Sequence, residues 1–123
     1  MASNNAKLVK SLDTLKQAMS CFKKADNKNI AFLGVAKAFE IAVEYAWREL
    51  KTLVENEGLE VQSPKAAVRE AARIGIISKA EYWLDFIDAR NAGVHDYFGM
   101  TDEEYLKIAT EFYKEASKVF ISR

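Results

Sequence analysis

Apolar residues recur every three or four positions along almost the whole chain, which is the period of an α-helix. Leu8, Leu12, Leu15, Met19 and Phe22 form one stripe. Phe32, Val35, Phe39, Ala42, Ala46, Leu50 and Leu53 form a second, longer one. Tyr105, Ile108, Phe112, Ala116 and Val119 form a third. Stripes of this kind predict amphipathic helices that turn one face to a shared core.

The breaks between stripes are equally legible. The first helix is expected from about Asn4 to Lys24, where "ADNKN" interrupts the pattern. Asn27 or Asn29 can cap a second helix that runs to about Asn56, because a short polar side chain accepts from the exposed amides of a first turn. Gly58 is placed for the left-handed position past its end. In "SPKAAVREAARIG", Ser63 is an N-cap, Pro64 takes the first helical position, and Gly75 ends a short third helix. Ser78 and Glu81 have capping-box spacing for a fourth helix, with Ile77 stapled onto Tyr82, and Thr101 and Glu104 have the same spacing for a fifth. These signals predict an all-α fold: an antiparallel up-and-down four-helix bundle with one extra short helix. No repeat or linker divides it, so residues 1–123 are expected to form one domain.

The apolar positions are broader than the stripes. The second helix adds Ile41, Val43, Tyr45, Trp47 and Val54, and the fourth adds Trp83, Phe86 and Ile87. A bundle this small has difficulty burying so wide a surface alone, which points to a homodimer. The plainer alternative is a broad core face with a few exposed aromatics.

Composition narrows the picture. One proline and five glycines in 123 residues fit helices better than turn-rich β structure. The 18 basic and 18 acidic residues cancel, so bulk charge does not draw in nucleic acid and any RNA contact needs a local patch. A lone cysteine, Cys21, has no internal disulfide partner and reads as a buried small apolar residue in a reducing, cytoplasmic setting. The opening "MASNNAKLVK" lacks the apolar core of a signal peptide. No apolar run reaches the roughly 18–20 residues that span a membrane.

Candidate chemistry concentrates in "DARNAGVHDYFG", residues 88–99, which holds the only histidine, His95. Singly, its residues have ordinary explanations. A histidine is favoured at a helix C-terminus, Arg90 can pair with Asp85 or with a neighbouring helix, and Tyr97 can be a packing ring. Together they suggest more. Asn91 and His95 share a face if the helix persists, whereas Arg90 and His95, five apart, do not. Gly93 lets the helix unwind between them. The pair then meets at a helix end or across a two-fold axis. An imidazole can move a proton at neutral pH, and a guanidinium can grip a phosphate with two parallel hydrogen bonds.

"RNAGVHDY" resembles the R-x4-H-x-Y signature of the HEPN superfamily. "FEIAVEYAWRELKTLVENEG", "SPKAAVREAARIGII" and "WLDFIDARNAGVHDY" look like successive blocks of its nucleotidyltransferase substrate-binding branch, over about residues 8–120. The resemblance implies an α-helical dimer encoded beside a minimal nucleotidyltransferase, in some cases as a toxin–antitoxin pair. The HEPN member is then a metal-independent endoribonuclease toxin that needs no cofactor. It also implies Arg90 and His95 as the catalytic pair, Asn91 and Asp88 as supporting residues, and Tyr97 as the acceptor of AMP from the partner (AMPylation) that silences it.

Other constellations carry less. Lys65, Arg69 and Arg73 form a basic stripe on the short helix that could track phosphates or simply face solvent. Glu40 and Glu44 share a face, but with one histidine in the chain the ligand set for a cation is thin, and a Glu44–Arg48 pair accounts for the spacing. Trp47 and Trp83 can stack on a base, though packing in a core or a dimer interface is the more common use. Two classes of function remain. One is a ribonuclease that is also a transferase target. The other is a non-catalytic nucleotide-binding or structural dimer subunit of a nucleotidyltransferase complex. Either way the expected partners are a second copy, a minimal nucleotidyltransferase encoded nearby, and RNA or a nucleotide, with no membrane.

Overall fold

A computed structural model of the chain describes residues 5–92 and 101–121. Five helices and no strand occur among them: α1 (Asn5–Lys24), α2 (Lys28–Asn56), α3 (Pro64–Arg73), α4 (Ala80–Ala92) and α5 (Asp102–Phe120). The predicted stripes are the buried faces. Leu8, Leu12 and Leu15 of α1 meet Val35, Phe39, Ala42, Ala46 and Leu50 of α2, and Tyr105, Phe112 and Ala116 of α5 complete the core. Phe112 is the hub. Its ring stands edge-on to Phe39 at 5.5 Å, Phe86 at 5.3 Å and Trp83 at 5.9 Å, which ties α2, α4 and α5 together. The same contacts hold α4 near α2, where the candidate site is built.

The ends follow local chemistry. The Asn27 side chain accepts from the Ile30 amide at 3.1 Å, and Ser63 accepts from Ala66 at 3.2 Å with Pro64 in the first turn. Thr101 and Glu104 exchange both bonds of a capping box at the start of α5. Gly58 (φ 91°) and Gly75 (φ 88°) end α2 and α3. In each case the glycine amide and the next amide bond back to carbonyls of the last turn: Gly58 to Glu55 and Leu59 to Val54, Gly75 to Ala72 and Ile76 to Ala71. This double closure is the Schellman arrangement, and its left-handed residue has no Cβ to clash. Lys28 closes α1 from outside, donating to the carbonyls of Phe22 and Lys23.

Two expectations are corrected. The fourth helix opens at Ala80 rather than on a Ser78–Glu81 box, with the Lys79 carbonyl accepting from Tyr82 and Trp83. Cys21 is exposed, not buried. It lies two residues past Met19, about 200° round the helix from that inward position.

The apolar width that suggested a dimer is largely covered inside one chain. Val43, Val54, Trp83, Phe86 and Ile87 are buried there, and Tyr45 and Trp47 are partly so. The large apolar side chains left at the described surface are Ile30, Leu33 and Ile41 on α2, Tyr82 on α4, and Ile121. No described helix is long and apolar enough to cross a membrane.

Candidate functional site

Arg90 sits in the last turn of α4 and leans onto α2. One terminal nitrogen, Nη2, donates to Glu44 Oε1, and the other, Nη1, donates to Asn91 Oδ1 at 2.9 Å. The guanidinium is therefore held at two points, by a carboxylate on a different helix and by the side chain next to it. Arg90 and Glu44 are 30% and 25% exposed, so the pair is half-sheltered and one side stays open to solvent.

Glu44 is a node. Its Oε2 accepts from Arg48 at 2.7 Å, the expected i,i+4 pair, and its Oε1 also accepts from the Trp47 indole at 3.1 Å. The Arg48 guanidinium lies 6.0 Å from the Trp47 ring centre. Trp47 is not a free stacking plate: it is partly buried against the core, and its indole N–H donates to Glu44. It steadies the carboxylate that steadies Arg90. One negative charge thus orders two guanidiniums on one cleft, lined by Lys37, Glu40, Ile41, Tyr45 and this node. The cleft holds three cations, Lys37, Arg48 and Arg90, against two carboxylates, Glu40 and Glu44, which leaves a small excess of positive charge for an anion.

Of the residues singled out in the sequence, the structure brings Arg90 and Asn91 together. Asp88 lies elsewhere: two residues from Arg90 on the helix, its carboxylate is taken by Lys65 of α3 at 2.7 Å. His95 and Tyr97, with Gly93 between Arg90 and His95, lie outside the described residues. The basic stripe on α3 is divided. Lys65 is bound to Asp88 and Arg73 to Glu70, so Arg69 alone remains without an ion pair to the described residues. That favours a solvated face over a phosphate track.

The sequence pattern does not reveal that Glu44 belongs to this site. Its i,i+4 neighbour Arg48 explains the residue fully at the local level. The link to Arg90 spans 46 positions and depends on how α4 packs.

The family described as nucleotidyltransferase substrate binding protein like matches this chain over residues 3–122. No curated protein matches it.

Proposed function

The chain belongs to the nucleotidyltransferase substrate-binding protein-like family, which is HEPN-like, and from that premise we propose that it is the HEPN partner of a minimal nucleotidyltransferase. In this reading it is one domain, an up-and-down bundle that works as a homodimer, and it is a metal-independent endoribonuclease. His95 takes the proton of a ribose 2′-OH, the 2′ oxygen attacks phosphorus, and the 5′ oxygen of the next nucleotide leaves. Arg90 bears the charge that builds on the phosphorane oxygens. The partner silences the enzyme by transferring AMP to the Tyr97 hydroxyl, with pyrophosphate leaving.

The observation that carries this reading is the state of Arg90. A catalytic guanidinium must be placed before substrate arrives, and Glu44 and Asn91 place it. An incoming phosphate can then share Arg90 with Glu44, while Arg48 keeps the carboxylate compensated.

Two measurements test it. Single-stranded RNA is incubated with the purified chain with and without EDTA, and with the His95→Ala variant. Cleavage should be unaffected by EDTA and fall roughly 10²- to 10⁴-fold in the variant. Intact-mass spectrometry after co-expression with the nucleotidyltransferase encoded beside it should show added AMP on the wild type and none on Tyr97→Phe. Undiminished cleavage by His95→Ala would end the enzymatic reading, and AMP persisting on Tyr97→Phe would end the modification reading.

A further inference from the structure

A second groove lies beside the arginine cleft. It lies between α1 and α2, and Ile41 and Tyr45 line both, so the two adjoin across these side chains as a two-part trough, with volumes of about 340 and 450 Å³. Its apolar floor is Ala38, Ile41 and Tyr45, with Ile41 43% exposed. Its walls are basic. Lys7 and Lys10 stand one turn apart on α1, Lys37 rises from α2, and Arg48 and Arg90 close the far end. The three lysines make no ion pair with the described residues, and the acidic side chains of the trough are Glu40 and Glu44. In a chain of zero formal charge, five cations and two carboxylates line the two parts of the trough.

A positive track beside an apolar and aromatic floor is what a flexible polyanion with flat bases requires. Phosphates gain from the lysines, and a base gains from a ring that tolerates any sequence. An acidic peptide answers the positive track alone, because its carboxylates bring charge but no planar group to cover Ile41 and Tyr45.

We propose that this trough carries the RNA strand: one phosphate rests at Arg48 and Arg90 with Lys37 beside them, the adjoining base lies on Tyr45 and Ile41, and the phosphates beyond that base meet Lys10 and Lys7. Lys7, Lys10 and Tyr45 are then positioning residues, set back from Arg90. The inference rests on the reading that the chain acts on RNA.

The test is fluorescence anisotropy with a labelled, unstructured 2′-O-methyl RNA of about 12 nucleotides, within the range of single-strand site sizes. Such a strand cannot be cut through its 2′ oxygen. The Lys7→Glu/Lys10→Glu variant should bind at least tenfold more weakly and show a shallower salt dependence, by about 0.7 per lost phosphate contact. Tyr45→Ala should weaken binding roughly 5- to 150-fold, the value of one stacked base. Tyr45→Phe should bind like the wild type. Ile41→Asp, on an exposed position, repeats the test of the floor without opening the core. Arg69→Glu on α3 is the control and should change little. Light scattering on the same samples should return an unchanged mass. Tight binding that survives the lysine and Ile41 variants would overturn the trough while leaving RNA as substrate. Wild-type protein that fails to bind at low salt would overturn the RNA reading itself. Displacement by free AMP at equal phosphate concentration would overturn the strand as occupant.

Discussion

Glu44 and Arg90 form an ion pair between α2 and α4 across 46 positions of sequence, and Arg48 and Trp47 bind the same carboxylate. Its energetic weight is modest. Both side chains are a quarter to a third exposed, and such pairs contribute about 0.2–1 kcal/mol. A double-mutant cycle with Glu44→Gln and Arg90→Gln, read by urea unfolding, should give a coupling in that range. A coupling well above 2 kcal/mol would mean that the pair is a structural rivet rather than a device for aiming Arg90.

One substitution should change sign between two glycines. Gly34 lies inside α2, and a Cβ added there meets nothing within 4 Å. Gly34→Ala should stabilise by about 0.5–1 kcal/mol, because glycine in a helix interior loses more backbone freedom on folding. Gly58, also with open space around it, has φ 91°, so Gly58→Ala should destabilise by about 1 kcal/mol. Thermal unfolding of the two variants side by side checks this, and shifts in the same direction would refute it.

Phe112 is fully buried among three other rings. Truncation to alanine removes those contacts and leaves a cavity that helices from three directions cannot close. Phe112→Ala should cost about 3–5 kcal/mol, and Phe112→Leu much less. A loss below 1 kcal/mol for the alanine variant, measured by urea denaturation, would show that the core collapses freely.

These cases mark what the sequence reveals. Helix positions and most ends were readable because their causes are local: a stripe at period 3.6, Asn27, Ser63 or Thr101 before it, Gly58 or Gly75 after it. The start of α4 was not, since Ser78 has the right spacing for a box but the chain enters the helix one step later. The apolar width of α2 and α4 was visible, yet its cover was not. Whether Trp83 and Phe86 face a second copy or Phe112 of their own α5 depends on tertiary packing. The candidate site divides the same way. Arg90 and Asn91 stand in a short motif, while Glu44 is hidden from any local pattern because its partner is on another helix. Lys7 and Lys10 look like ordinary surface residues until α1 is laid beside α2.

Substituting Arg90 itself separates charge from shape. Arg90 uses two nitrogens in two directions, Nη2 toward Glu44 and Nη1 toward Asn91. An ammonium can replace one of these bonds as a point charge but cannot hold both while presenting a fork to phosphate. The pair is also a quarter to a third exposed, so its loss harms the fold little. Arg90→Lys should therefore unfold within about 1 kcal/mol of the wild type, while RNA cleavage falls by roughly 10²-fold or more, the scale of a lost transition-state charge contact. Lowering the salt concentration should restore binding of the lysine variant to RNA, because charge is retained, but not its rate, because geometry is not. Binding and single-turnover cleavage measured at two salt concentrations give both numbers. A lysine variant that cuts as fast as the wild type would show that Arg90 supplies charge alone, and that the hold of Glu44 and Asn91 on it has no part in catalysis.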